Sequence, residues 1–136
     1  MADEPDLRGV KILVVDDSKT IRRSAEVLLT KAGSEVQLAE DGFEALGKVV
    51  SFKPDLVFID IMMPRLDGYH TCALIKNNPQ FKDIPVVMLS SKDGLFDRAK
   101  GRLVGAQIYL AKPFTADELL GAVRASLTPA AATRPL

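Results

Sequence analysis

Apolar residues are concentrated in five short stretches of the chain, and each stretch is followed by polar or acidic residues. The stretches are residues 11–15, 35–39, 56–59, 84–89 and 107–110. Short runs rich in Val, Ile and Leu are typical of strands that are buried on both faces of a sheet. The pattern therefore predicts five buried strands.

Segments with helical periodicity separate these strands, because their apolar residues recur at spacings of three and four residues. We predict helices at residues 18–33, 42–53, 68–78, 93–104 and 115–127. Asp17 or Ser18 is the expected N-cap of the first helix, and Thr115 with Glu118 forms a capping box for the last. The positions predicted to face the core are Ile21, Ala25, Leu28 and Leu29, then Phe43, Leu46, Val49 and Val50, then Thr71, Cys72 and Ile75, and finally Leu119, Leu120, Val123 and Leu127.

Strands that alternate with helices through short turns predict a parallel sheet with helices on both faces. Right-handed crossovers make such a sheet doubly wound. The predicted fold is therefore a five-stranded α/β fold of the flavodoxin-like (βα)5 type, with strand order 2-1-3-4-5. We assign residues 9–128 to this domain, residues 1–8 to a flexible N-terminal tail and residues 129–136 to a disordered tail rich in Ala and Pro.

Composition narrows the class of protein. The 136 residues suit one domain, and 18 Lys and Arg residues balance 18 Asp and Glu residues. No overall basic field favours nucleic acid or an anionic membrane. Cys72 is the only cysteine, which excludes an intramolecular disulfide. Since the N-terminus is acidic and no apolar run approaches the roughly 18 residues of a membrane span, we expect a cytoplasmic protein.

Three carboxylates follow two of the predicted strands. Asp16 and Asp17 end the first strand, and Asp60 ends the third. In a flavodoxin-like order these strands flank the point where the strand order reverses, and ligands bind beyond their carboxyl ends. Two like charges about 4 Å apart repel by roughly 4 kcal/mol at an effective dielectric near 20, so the cluster requires a cation, a proton or a nearby Lys. Oxygen ligands favour Mg²⁺, Mn²⁺ or Ca²⁺ over zinc.

Two further polar side chains are predicted at the same edge of the sheet. Ser90 ends the fourth strand and Lys112 the fifth. Alone, Asp60 fits a helix cap or a turn residue. With a hydroxyl and an ammonium nearby, the carboxylates instead suit a divalent metal and a phosphoryl group. A carboxylate can attack phosphorus to give an aspartyl phosphate, a reaction that depends mainly on positioning and charge neutralisation.

These residues resemble the receiver domain of bacterial two-component response regulators. The matching features are Asp16-Asp17-Ser18, Asp60 with Pro64 and the Asp67-Gly68 pair, Ser90, and Lys112-Pro113-Phe114. The resemblance covers residues 9–128 without an insertion. It implies a signalling protein that is not an enzyme toward other substrates and catalyses only its own phosphoryl transfer and dephosphorylation.

The resemblance also implies a ligand set. Asp60 would take a phosphoryl group from the phosphohistidine of a partner kinase. Asp17, Asp60 and the backbone carbonyl of Met62 would hold Mg²⁺, or Mn²⁺ in its place, and Asp16 would act through a water molecule. A role for Asp17 as a helix cap alone is the alternative reading, although capping and metal binding can coexist.

Three residues on the last two strands are implied to respond to the phosphoryl group. Lys112 would pair with its oxygens, the Ser90 hydroxyl would move toward them, and Tyr109 would turn inward as the switch aromatic. This movement would couple the site to the face formed by the fourth helix, fifth strand and fifth helix. The peptide bond before Pro113 would be cis. The alternative for Tyr109 is a fixed core aromatic with its hydroxyl outward.

One residue near the site departs from the usual family pattern, and two others occupy positions that affect hydrolysis of the acyl phosphate. Met62 and Lys92 occupy positions that, in this family, control the access of water to the acyl phosphate. Ile108 stands where a polar residue is expected before the switch aromatic, so we predict an exposed apolar side chain on the output face. Partner contact and neutral drift are both open explanations for Ile108.

The loop sequences resemble one branch of the family more closely, the stand-alone regulators of twitching motility in chemosensory pathways that control type IV pili. The similar segments are residues 16–23, 60–69, 71–78 and 90–97. This implies a CheA-like histidine kinase of a chemosensory array as upstream partner and a pilus-control protein downstream. We expect a monomer or weak dimer that, without an attached output domain, signals by protein contact.

Other classes of function remain open from the residues. A flagellar chemotaxis-type regulator is the alternative within the family. A haloacid-dehalogenase-type phosphatase also uses an Asp nucleophile with Mg²⁺, but it requires a second acid where Met62 stands. A flavodoxin-like FMN carrier conflicts with Asp16 and Asp17, which would repel the phosphate. The last alternative is a receiver fold kept as an unphosphorylated binding module.

Overall fold

The structure is a computed structural model that describes residues 7–91, 98–106 and 108–127. Within these ranges, five strands alternate with five helices. In chain order they are β1 (Lys11–Val15), α1 (Lys19–Lys31), β2 (Glu35–Ala39), α2 (Gly42–Phe52), β3 (Leu56–Asp60), α3 (Gly68–Lys76), β4 (Val86–Ser91), α4 (Arg98–Leu103), β5 (Ile108–Lys112) and α5 (Ala116–Leu127). None of the helices in the described ranges is long and apolar enough to cross a membrane.

The strands form one parallel sheet in the order β2-β1-β3-β4-β5, which confirms the predicted fold. Alternate residues of each strand enter different cores. Ile12 and Val14 of β1 pack in a core with α1 and α5, whereas Leu13 and Val15 pack in a core with α2 and α3. We call these the α1/α5 core and the α2/α3 core. Burial on both faces explains why the strands are apolar throughout.

Side-chain caps begin three of the helices that follow the carboxyl ends of the strands. The Oγ of Ser18 accepts a hydrogen bond from the backbone N–H of Ile21, so Ser18, rather than Asp17, is the N-cap of α1. Asp41 caps α2 and Asp67 caps α3 in the same way. These caps fix where each helix leaves the edge of the sheet that carries the candidate site.

The predicted inner face of α2 is partly wrong. Phe43 and Val50 are 56% and 58% exposed, while Ala45 and Phe52 are buried with Val49. Periodicity alone favours the largest apolar residues for the core, but Gly42 and Ala45 are small enough to let α2 approach its neighbours closely. Phe43 instead lies under the guanidinium of Arg65, 5.4 Å from the ring centre.

Several predicted boundaries also change. Strand β4 begins at Val86 rather than at residue 84, and β5 runs on to Lys112. Leu7 was assigned to the flexible tail, but it is buried in the α1/α5 core, and its N–H donates to the carbonyl oxygen of Ala32 at 3.0 Å. The domain therefore extends at least to residue 7. Residues 1–6 and 128–136 and the predicted start of α4 at residue 93 lie outside the described residues.

Replacing Ser34 with Ala is expected to stabilise the protein. In the part of the chain that the structure describes, the Ser34 hydroxyl is a buried side-chain polar atom without a hydrogen-bond partner. Removing such a hydroxyl should raise the free energy of unfolding by about 1 kcal/mol. Urea unfolding of the two proteins measures the difference. A lower free energy of unfolding for Ser34→Ala would show that the hydroxyl is bonded in solution.

Candidate functional site

The carboxyl ends of β1, β3 and β5 bring three charged side chains together. Asp16 follows β1, Asp60 ends β3 and Lys112 ends β5. The Lys112 Nζ donates to Asp16 Oδ2 and to Asp60 Oδ1, each at 3.0 Å. Both carboxylates are buried, so this ammonium compensates charges that water reaches poorly.

A third carboxylate completes an acidic cluster at this edge. Asp16, Asp17 and Asp60 each place one oxygen within 4.8 Å of the others, and only Asp17 of the three is exposed. One ammonium against three carboxylates leaves an excess of negative charge. Because all the side-chain donors are oxygens, the set fits a hard divalent cation such as Mg²⁺ better than zinc.

The environment of Asp60 changes its protonation. Burial raises the pKa of its carboxyl, and the charge of Asp16 raises it further, while Lys112 lowers it; the result is a pKa of about 7. For Lys112, burial lowers the pKa, but the hydrogen bonds to Asp16 and Asp60 outweigh it and the pKa is raised. Lys112 is therefore cationic, whereas Asp60 without a cation exchanges its proton near neutral pH.

We expect Asp60 to make the stability of the metal-free protein depend on pH. Its pKa is about 7 in the folded protein and near its ordinary 3.8 when unfolded, so the folded state binds the proton more tightly. This contribution to stability is complete below the unfolded pKa and is lost as pH rises through about 7. The free energy of unfolding should be about 1 kcal/mol greater at about pH 6 than at about pH 8.

Urea unfolding in EDTA at both pH values measures this difference. The Asp60→Asn variant is the control, because its amide does not titrate in this range. The difference in free energy of unfolding between the two proteins should narrow as pH falls. Parallel pH profiles would contradict the assignment of the raised pKa to Asp60.

The loop between β3 and α3 is held closely around Asp60. The N–H of Met62 donates to Asp60 Oδ1 at 3.3 Å, and the N–H of Gly68 donates to the carbonyl oxygen of Ile61 at 2.9 Å. A Cβ at Gly68 would overlap the Asp60 carbonyl oxygen and lie 2.8 Å from the Ile61 Cα. The Met62 side chain is 71% exposed beside the site.

The other predicted residues lie on β4 and β5. Ser90 is buried at the same edge, opposite Ala111, and its hydroxyl donates to the carbonyl oxygen of Ser91 at 3.2 Å. Tyr109 is half-buried, and its hydroxyl lies against Gly101 of α4. The Lys112–Pro113 peptide bond is cis, as the resemblance implies.

Two further residues from the sequence analysis remain predictions. Ile108 is half-buried and packs against the α1/α5 core, which leaves part of its side chain accessible. Lys92 lies outside the described residues.

Sequence reasoning missed two arginines near the site. Arg22 Nη1 donates to the backbone carbonyl oxygen of Asp16 at 2.7 Å, and Arg65 Nη2 donates to Asp41 Oδ2 at 2.7 Å. A signal was available for Arg22, which stands one turn after the Ser18 cap and therefore faces the preceding loop. No local signal marks Arg65, because its partner lies 24 residues earlier in the chain.

Comparison with known proteins gives matches along most of the chain. The family model for the response regulator receiver domain matches residues 12–124. Protein PilG of Pseudomonas aeruginosa is 64% identical over 124 residues, which cover 89% of this chain and 92% of PilG. Response regulator MprA of Mycobacterium bovis is 42% identical over 119 residues, 88% of this chain, and the chain spans only 51% of MprA.

Solved structures agree with these matches. Chemotaxis protein CheY4 of Vibrio cholerae has a TM-score of 0.82 at 34% identity, covering 87% of this chain and 98% of its own. A crystal structure of a response regulator from Chloroflexus aurantiacus has a TM-score of 0.82 at 36% identity, covering 87% of this chain and 97% of its own.

Proposed function

Because the chain belongs to the response regulator receiver domain family, we propose that it accepts a phosphoryl group on Asp60 and signals by phosphorylation-dependent contact with another protein. Membership of the family implies a histidine kinase as partner. The observation that carries the proposal is the meeting of Asp16, Asp17 and Asp60 with Lys112 at one edge of the sheet. The reaction is confined to the protein's own phosphorylation and dephosphorylation.

In the proposed reaction, a carboxylate oxygen of Asp60 attacks phosphorus as the phosphorus–nitrogen bond of the kinase phosphohistidine breaks. Lys112 Nζ, 3.0 Å from Asp60 Oδ1, is placed to pair with the transferred oxygens. Asp17, Asp60 and the Met62 carbonyl would hold Mg²⁺, which when bound supplies positive charge that favours ionised Asp60.

Asp16 fits a role through water rather than as a direct ligand. Its Oδ1 accepts from the N–H of Ser18 at 2.8 Å, and its Oδ2 accepts from Lys112 at 3.0 Å. Each oxygen already has one partner, so the remaining lone pairs suit hydrogen bonds from water.

The proposed response to phosphorylation involves Ser90 and Tyr109. The Ser90 hydroxyl would exchange its bond to the Ser91 carbonyl for one to the phosphoryl group, and Tyr109, half-buried on the neighbouring strand, would follow. This response would couple the site to the face formed by α4, β5 and α5. Met62, exposed beside Asp60, and Lys92 would control the access of water and hence dephosphorylation.

We further propose that this cytoplasmic protein serves a chemosensory array that controls type IV pili and twitching motility, with a CheA-like kinase upstream. The 64% identity to PilG over most of both chains supports this placement. A flagellar chemotaxis role is the second candidate, favoured by the similarity to CheY4. Transfer rates from purified kinases of the two kinds of array would separate them, because the cognate kinase should transfer faster.

Acetyl phosphate tests the central proposal without any partner. With Mg²⁺, the intact mass of the protein should increase by one phosphoryl group, and EDTA should prevent the increase. A protein that binds Mg²⁺ but gains no phosphoryl group from acetyl phosphate or from any candidate kinase would overturn the proposal. Pull-down with phosphorylated and unphosphorylated protein would then identify the downstream partner.

A further inference from the structure

The turn between β2 and α2 contacts both loops that carry the proposed metal ligands. Its residues Glu40 and Asp41 are not among those ligands. Glu40 nevertheless pairs with Arg22, which binds the loop after β1, and Asp41 pairs with Arg65, which belongs to the loop after β3. Two arginines therefore connect the two loops to adjacent carboxylates of one turn.

On the β1 side, Arg22 fixes the backbone of the acidic loop. Its Nη1 donates to the Asp16 carbonyl oxygen at 2.7 Å, and its Nη2 lies 3.7 Å from Glu40 Oε2. The Arg22 side chain is only 15% exposed, whereas its partner Glu40 is 68% exposed, so the bond to the Asp16 carbonyl oxygen is the firmer of the two contacts. A guanidinium that is largely buried and bonded to a backbone carbonyl restricts the loop more than an exposed ion pair would.

On the β3 side, Arg65 is held in a costly backbone conformation. Its φ is +68°, in the left-handed region that non-glycine residues rarely adopt. Its Nη2 donates to Asp41 Oδ2 at 2.7 Å, and its guanidinium lies over the ring of Phe43. Backbone strain of this kind persists where surrounding contacts determine the conformation.

Asp41 is itself fixed, so it can serve as an anchor. Its Oδ1 accepts from the N–H of Glu44 and caps α2, which leaves Oδ2 for Arg65. That backbone hydrogen bond and the charge of Arg65 lower the pKa of Asp41, despite the opposing effect of burial. Packing adds to the contact, since a Cβ at Gly42 would lie 2.8 Å from Leu66 Cδ2.

We propose that Arg22 and Arg65 are positioning residues that hold the loops of Asp16–Asp17 and Met62 at a fixed separation by binding the Glu40 and Asp41 carboxylates. The role rests on the proposed function, because it matters only if these loops bind Mg²⁺. Mg²⁺ requires near-ideal octahedral geometry. Loops that are already at the correct separation bind it without a further loss of conformational freedom.

The test measures Mg²⁺ affinity by calorimetry for Arg22→Gln, Arg65→Gln and Arg23→Gln. Each variant removes one positive charge, which by electrostatics alone would strengthen the binding of a cation. Loss of positioning predicts the opposite, and Arg22→Gln and Arg65→Gln should bind Mg²⁺ about threefold more weakly. Arg23→Gln is the matched control, because Arg23 is exposed and its ion-pair partner among the described residues is Glu26, within α1.

A double-mutant cycle separates the contact from other effects. Asp41→Asn keeps the cap of α2 but loses the ion pair, and the double variant with Arg65→Gln should bind Mg²⁺ no more weakly than either single variant. Affinity in Arg22→Gln and Arg65→Gln that equals or exceeds that of the wild type would overturn the positioning role. A wild type that binds Mg²⁺ but takes up no phosphoryl group would instead remove the proposed function and leave this comparison of affinities intact.

Discussion

Replacing Asp60 with Asn is expected to abolish phosphoryl uptake and, at the same time, to stabilise the metal-free protein. The amide retains the shape of the side chain and an oxygen for Lys112, but it cannot attack phosphorus. Stability should rise because burial and Asp16 disfavour the charged form of Asp60, as its raised pKa of about 7 indicates. The gain in free energy of unfolding should be on the order of 2 kcal/mol at about pH 8.

Intact mass after incubation with acetyl phosphate and Mg²⁺ measures the first effect, and urea unfolding in EDTA measures the second. Asp83→Asn is the control, since it removes an exposed carboxylate just before β4. Asp83 therefore lies at the amino-terminal end of the strands, and the candidate site lies at their carboxyl-terminal end. It should leave phosphoryl uptake unchanged. Phosphorylated Asp60→Asn would place the acceptor on another residue. A substitution that abolishes phosphoryl uptake but raises the free energy of unfolding is typical of a functional group that destabilises the folded protein.

Replacing Gly68 with Ala is expected to cause the largest loss of stability among single methyl additions. The new Cβ would overlap the Asp60 carbonyl oxygen and lie 2.8 Å from the Ile61 Cα. Both neighbours are backbone atoms, so no side-chain rotation can relieve the collision. We expect the free energy of unfolding to fall by about 3 kcal/mol. Phosphoryl uptake should also slow, because the displaced segment carries Asp60 and Met62.

Gly47→Ala provides the control for the glycine prediction. Gly47 lies in the middle of α2, and a Cβ there would have no neighbour within 4 Å. Helix propensity alone then predicts a gain of up to about 1 kcal/mol. Urea unfolding compares the two variants with the wild type. A Gly68→Ala protein as stable as the wild type would mean that the loop after β3 can open enough to admit a methyl group.

The features that follow from local pattern were predictable. The apolar runs predicted the strands, and the spacing of Thr115 and Glu118 predicted the reciprocal cap of α5. Asp16, Asp60 and Lys112 were predicted to meet because the carboxyl ends of parallel strands lie at one edge of the sheet. The convergence required only the strand order, which the alternation of strands and helices restricts strongly.

Features that depend on contacts distant in sequence were not predictable. Phe43 is exposed and lies beside the guanidinium of Arg65, which belongs to another loop, and the hydrophobic pattern of α2 does not predict that contact. Leu7 packs in the α1/α5 core, and its N–H donates to the carbonyl oxygen of Ala32 just after α1, two contacts with residues distant in sequence. Ile108 was singled out because it precedes Tyr109, and its half-buried packing against the α1/α5 core depends on residues that are distant in sequence.

Lys112 belongs to the edge strand β5, yet its ammonium contacts carboxylates at the ends of β1 and β3, with β4 lying between. The Lys112 side chain therefore connects the end of the edge strand β5 to the ends of β1 and β3, two strands with which β5 does not pair directly. The backbone at Lys112 also pairs with Ser91, so strand pairing, and not this side chain alone, holds the end of β5 to β4. The same side chain places a central carboxylate, Asp60, within hydrogen-bond reach of the strand that carries Tyr109.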